Sequence, residues 1–257
     1  MATPAVGAPL AVVLLALTAA AALLVRLGGV GRAREVVAAA GRAAGQLAAV
    51  SLLIAAVLRS AGATAAFVAL MLAIAAVTAA GRIVGRRSAR AAGWCGLAIA
   101  AGVGPVLALT VLSGAVPARP VAVLPIAGIL IGGAMTVTAL TGRRTLEELR
   151  TRHGEYEAAL ALGLSSRDAA LEVCRPAAAL ALVPVLDQTR TVGLVTLPGA
   201  FVGVLLGGAS PSAAGATQLL VLLGLLAAEA VCMLVILELV AVGRLRASEG
   251  AQDRRGP

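Results

Sequence analysis

"GEYEAALALGLSSRDAALEVCRP", residues 154–176, carries six charged side chains between two long apolar runs. In a chain of 257 residues that is 60% hydrophobic and only 13% charged, such an island needs a reason. Soluble domains carry about a quarter charged residues. With a mean hydropathy of +1.01, this chain reads as an integral membrane protein, and the island must lie outside the hydrocarbon. Locally it spells two helices and a turn. Good helix formers run over 143–162, Gly163 supplies a left-handed stop, and Ser165 with Asp168 three residues on forms a capping box for the next helix. Small residues, Ala158, Ala159, Ala161 and Gly163, line this corner. Two readings are open: an ordinary solvated loop, or a corner whose small side chains let it lie in another protein's groove.

Outward from the island, a helix needs about 20 mostly apolar residues to cross the hydrocarbon. Seven windows qualify, at about 9–25, 43–58, 61–80, 93–112, 121–141, 184–208 and 215–242. The second is short unless the stretch before it helps. There Val30, Ala33, Val37, Ala40 and Ala44 share one helical face and Arg32, Glu35 and Arg42 another, the pattern of an elbow helix in the interface plane.

Arginine placement tests the count, because short cytoplasmic loops collect basic residues. With the N-terminus outside, Arg26, Arg32, Arg34, Arg42, Arg82, Arg86, Arg87, Arg90, Arg143, Arg144, Arg150, Arg152, Arg167, Arg175, Arg244, Arg246, Arg254 and Arg255 fall inside. Only Arg59 and Arg119 fall outside, and Arg190 is ambiguous. The expected fold is therefore all-α and polytopic, with about seven transmembrane helices, N-terminus out and C-terminus in, plus a cytoplasmic helical corner. No positive charge precedes the first apolar run, so that run reads as a retained span rather than a cleaved signal.

Composition also excludes. The net charge of +9 comes with 2% aromatic residues and scattered arginines, not the basic stripe of a nucleic-acid binder. Cys95, Cys174 and Cys232 are odd in number and far apart, so neither a disulfide framework nor a Cys-based metal cluster is expected. The chain has no Lys, and a P-loop needs one to reach the nucleotide phosphates. No assembled nucleophile and base is visible, so no enzyme chemistry is expected.

Ionisable groups at membrane depth cost several kcal/mol and each needs a purpose. Asp187 and Arg190, three apart, pair on one face near the cytoplasmic end of the sixth window, either as a structural pair, a cargo contact or a gate. Pro198–Gly199 removes a backbone donor and is expected to kink that span. Asp187, Gln188, Arg190, Pro198, Gly199 and Gln218 are the translocation or gating candidates. Deeper, Gln218, Glu229, Cys232 and Met233 share one side of the seventh span, with Glu229, Cys232 and Met233 as candidate metal ligands. A hydrogen-bonded or protonated interhelical Glu is the alternative. Glu238 falls on the opposite face and is expected to be solvated. Gly96, Ala100 and Gly104 on the fourth span, and Gly128 and Gly132 on the fifth, have the four-residue spacing of close helix packing.

"EAALALG", nine residues, then "VCRP" is similar to the coupling-loop pattern of ABC transporter permeases. It places Glu157, Ala158, Ala159, Gly163, Val173 and Pro176 on the motif, with Arg175 where Leu is general. Downstream, "VPVLDQTRTVGLVTLPGAFVGVLLGGASPSAAGATQ", 183–218, and "LPIAGILIGGAM", 124–135, resemble the FetB-type permeases of the UPF0014 family, proposed iron exporters. This chain has Gly132–Gly133 where Gly-Asn is common, Ala200–Phe201 for a pair of methionines, and Val204 and Thr217 for Gln and Tyr.

The resemblance implies a single permease domain over 1–257, with a coupling region at about 143–183 and a polar tail at 244–257, in a bacterial plasma membrane. It further implies a permease homodimer. The chain itself would bind no cofactor, and ATP-Mg would be hydrolysed on a separate cytoplasmic ATPase. That ATPase would be gripped through Glu157, Ala158, Ala159, Gly163 and Arg175 to export a metal ion such as iron. An ion-gradient-driven transporter, an ABC permease for a small organic solute, and a non-transporting scaffold are the rivals.

Overall fold

The structure, a computed structural model, describes residues 7–85 and 88–246. Arg86, Arg87, Arg254, Arg255 and tail residues 247–257 lie outside the described residues. The chain forms two compact units, 1–59 and 60–257. Among the described residues seven helical stretches are long and apolar enough to cross a membrane, and no strand is present.

The first unit is a helix pair, α1 (Ala8–Leu27) and α2 (Ala33–Val57). The expected elbow is absent as a separate element. The amphipathic stretch runs straight into the second span as one helix of 25 residues, because no Pro interrupts it and Gly41 and Gly45 sit in open space. Most of the large apolar side chains of both helices are exposed within their unit, Leu15 at 71% and Leu52 at 85%, as lipid-facing surfaces should be.

In the second unit, serines open four helices. Ser60, Ser88, Ser165 and Ser210 accept hydrogen bonds from the amides of Ala63, Ala91, Asp168 and Ala213 at 3.1–3.3 Å, opening α3 (Ala61–Val84), α4 (Ala89–Leu112), α7 (Ser166–Ala179) and α10 (Pro211–Ala241). Between α4 and α7 lie α5 (Pro120–Thr151) and α6 (His153–Ala161). α5 is central, packing on α3, α4, α7 and α10. Ile99, Leu130, Leu222 and Ile236 are fully buried among them.

The sixth span differs from the expected window. It begins at Ser166 and runs through α7, a 3₁₀ turn at Leu180–Leu182, and α8 (Val183–Thr191). Pro184 has no N–H for the carbonyl four residues back, so the helix tightens there without breaking. It does end at Thr191, where Val192 turns extended and Gly193 takes φ +83°. Pro198 is no kink. It forces Leu197 out of the helical region and stands as N-cap of a separate short helix, α9 (Gly199–Leu206).

The small-residue stripes pack only in part: a Cβ would lie 3.3 Å from Ala76 at Gly96 and 3.4 Å from Met71 at Gly128. Gly104 and Gly132 face open space and Ala100 is exposed. The closest approaches fall at Gly102, where a Cβ would lie 2.4 Å from the Ala228 carbonyl oxygen, and at Gly133, Gly142 and Gly224. Spacing of four identifies a helix face but not its rotation. α4 buries the face of Ala91, Cys95, Ala98, Ile99 and Gly102, offset from the one expected.

Candidate coupling corner and transport cavity

α5 outruns its apolar stretch by more than two turns, ends at Thr151, and re-forms as α6 after Arg152. Arg152 braces this break by pairing with Glu148 at 3.2 Å and with Glu155. Its hydrogen bond holds the Glu155 carboxyl below the usual carboxylate range. His153 stacks on Tyr156 and lies 3.3 Å from Glu157.

α6 then closes on a Schellman turn. Gly163, at φ +91°, donates its N–H to the Leu160 carbonyl (2.9 Å), and Leu164 donates to Ala159 (3.2 Å). The hydroxyl of Ser165 donates to the Asp168 carboxylate (2.7 Å) as α7 starts. No residue of α6 is buried, and Leu162 is 82% exposed at its tip. Glu157, Ala158, Ala159 and Gly163 are thus gathered on one short rigid corner. Arg175 is not. It sits on α7, about 14 Å along the helix from Ser166.

Glu238 is solvated as expected, its side chain 42% exposed, and it also has a partner: Arg167 at the start of α7 grips it with Nε at 2.5 Å and a second nitrogen at 2.8 Å, tying α7 to the end of α10. Behind α6 a cleft of about 570 Å³ is lined by His153, Tyr156, Arg167 and Arg246.

At the other end of the same helices lies a larger cavity, about 830 Å³. Gln188 of α8, Pro198 and Gly199, and Gln218 of α10 all line it, so four of the six translocation or gating candidates meet in one place. Ala200, Val204 and Thr217, three of the positions where the chain departs from the pattern it resembles, line it too. Asp187 and Arg190 do not. They pair at 3.4 Å, exposed, at the end of the Ser166–Thr191 span far from the corner, because that span starts 18 residues earlier than the sequence window suggested. The opposite wall was not expected from sequence: Ala115–Pro117 of the α4–α5 loop and Pro125, Ile126 and Ile129 of α5 carry no polar signal that would single them out.

Gln218 is 5% exposed and its side-chain oxygen accepts the N–H of Phe201 at 3.2 Å, pinning α9 to α10. Only an oxygen can accept that proton, so the amide nitrogen is left as a donor. Replacing Gln218 with Leu leaves the Phe201 N–H without its acceptor at a cost of about 1–3 kcal/mol. The expected outcome is faster hydrogen exchange confined to α9, with α4 and α5 unchanged.

The three metal candidates turn to different neighbours. Cys232 is fully buried and donates its thiol to the Ala98 carbonyl of α4 at 3.2 Å. Met233 packs towards Leu171, Cys174 and Leu237. Glu229, 7% exposed, lies against Gly133 of α5. Among the described residues no three His, Cys, Asp or Glu side chains are grouped to hold a metal ion.

Residues 9–243 match the family described as an uncharacterised protein family, UPF0014. The chain belongs to that family. It is 42% identical over 127 residues to protein ALUMINUM SENSITIVE 3 of Arabidopsis thaliana, covering 49% of this chain and 46% of that protein. It is 39% identical over 158 residues to the UPF0014 membrane protein STAR2 of Oryza sativa subsp. japonica, covering 60% and 55%. It is 34% identical over 125 residues to the probable iron export permease protein FetB of Escherichia coli, covering 49% and 48%. The chain thus spans about half the length of the curated relatives it matches. No solved structure matches it. It is a multi-pass membrane protein of the UPF0014 family, with a probable permease among its relatives.

Proposed function

We propose that this chain is the membrane-spanning subunit of an ABC-type exporter, driven by a separate ATPase that grips the corner around α6. The observation that carries the reading is that the corner and the cavity are joined by two long helical elements. α5, about 48 Å long, runs from the cavity wall at Pro125 and Ile129 to the corner, and the Ser166–Thr191 span, about 39 Å, runs back from the corner to Gln188. A push on α6 therefore moves two walls of the cavity with no flexible loop between. This lever needs no kink at Pro198–Gly199, which open the separate helix α9.

The corner end is the cytoplasmic one, and the cavity opens to the other side, in keeping with the arginine distribution. The cargo is a metal ion such as iron, by analogy with the relative named as a probable iron export permease. Two copies of the chain face two ATPase subunits. The test is reconstitution: proteoliposomes with the chain and a partner ATPase should move ferrous iron only with ATP. Flux from the chain alone, driven by an ion gradient, would instead establish a secondary transporter, the reading that the buried Glu229 favours.

A further inference from the structure

The floor of the 830 Å³ cavity is one side chain thick. Ile129 of α5 and Leu225 of α10 are its deepest lining residues on those helices. One turn further, α5 presents Gly133, and a Cβ there would lie 2.4 Å from Leu225 Cδ1 and 2.5 Å from Glu229 Oε1. The missing side chain makes a notch in α5, and two α10 side chains fill it: the methyl of Leu225, which also faces the cavity, and the carboxylate of Glu229 just behind. α5 and α10 run parallel here, since Leu130 packs on Gly224 and Leu146 and Leu149 share a cleft with Val240 and Leu245.

Glu229 has no hydrogen-bond or ion-pair partner among the described residues. A carboxylate near the middle of a 31-residue span is a poor structural element when nothing pairs with it. Polar groups continue past it. Thr138, whose hydroxyl neighbours the Cys232 thiol, and Thr141, whose hydroxyl has no partner among the described residues, are fully buried, whereas Thr136 and Thr145 on the same helix return theirs to a carbonyl one turn back at 3.0 and 2.8 Å.

We propose that Glu229 is a cation-binding carboxylate on the transport path, closed off from the cavity by Leu225 seated in the Gly133 notch. The plug is apolar and the group behind it is an unpaired carboxyl whose ionised form attracts positive charge, so the species it takes is a cation: a metal ion or an organic ammonium. The cavity, which has no charged lining residue, holds that cation with its hydration shell until Leu225 moves. This rests on the transport reading but not on the ATPase, and its test needs no nucleotide.

Glu229→Cys is labelled with 2-aminoethyl methanethiosulfonate in the full-length chain, with the parent as control for Cys95, Cys174 and Cys232, all buried. Leu225→Ala should speed labelling at least tenfold. Gly133→Ala should also speed it, because its methyl displaces only flexible side-chain tips and leaves the fold intact. Equal rates with Leu225 present, removed or displaced would overturn the plug. In the Leu225→Ala background, manganese(II) and methylammonium binding are then compared with and without Glu229→Gln. Loss of at least tenfold in affinity for either supports the carboxylate and identifies the kind of cation, whereas affinities indifferent to Glu229→Gln for both would overturn it. Labelling results stand even if ATP-driven transport fails, so the two readings fail separately.

Discussion

On the proposed coupling through α6, Ala158→Arg should cut ATP-driven export more than tenfold while leaving the subunit folded. Ala158 is exposed on α6, a helix without a single buried residue, so the new side chain meets nothing in its own chain and should shift stability by no more than about 0.5 kcal/mol. The corner around it is rigid, held by the Schellman turn at Gly163 and the Ser165–Asp168 cap. A long charged side chain therefore cannot be absorbed by local relaxation and keeps a partner's groove from closing over the helix. Efflux in proteoliposomes with the ATPase present should fall more than tenfold, and co-purification of the ATPase should fall with it. Gly163→Val should do the same by another route. A β-branched residue at φ +91° costs about 1–2 kcal/mol locally, which unseats the turn without unfolding the bundle. Undiminished, ATP-dependent flux in both variants would sink the coupling assignment.

How much of this was legible beforehand depended on which physical signal each element carries. The seven spans and the corner are written in hydropathy and cap chemistry, both local properties. Gly163 and Ser165 stand where the left-handed stop and the cap were expected. The sixth span was misplaced because Ala169, Ala170, Leu171, Val173 and Cys174 bury inside the bundle although charges flank them, so a polar-looking stretch is membrane-length core. The cavity residues Gln188, Pro198, Gly199 and Gln218 could be named but not assembled, since their meeting depends on α8 ending at Thr191 and α9 folding back onto α10. Leu225 was invisible, and Gly133 stood out only as a departure from the Gly-Asn of the resembled pattern. A Leu and a Gly in apolar helices become a plug and a notch only when the rotation of both helices is known.

That same rotation makes Gly102→Ala the most damaging small change in the bundle. A Cβ at Gly102 would stand 2.4 Å from the Ala228 carbonyl oxygen and 2.7 Å from Cys232 Sγ. The first is backbone and cannot swing away. The second is fixed by its 3.2 Å hydrogen bond to Ala98, so the methyl fits only if α4 and α10 separate along a seam that buries Ile99, Val103, Ala228 and Cys232. Overpacking of this kind costs about 1–3 kcal/mol and more where backbone must move. At the upper end that is a fall of roughly 6–12 °C in the unfolding midpoint, taking the soluble-domain scale of about 2–4 °C per kcal/mol. Gly104→Ala, two residues on, provides the opposite sign. Its Cβ meets nothing within 4 Å, and exchanging an interior helical Gly for Ala gains up to about 1 kcal/mol. Thermal unfolding of the two variants in detergent should therefore move in opposite directions from the parent. A common shift would mean that α4 presents a different face to α10, and with it the register that sets Leu225 and Glu229 against Gly133 would have to be redrawn.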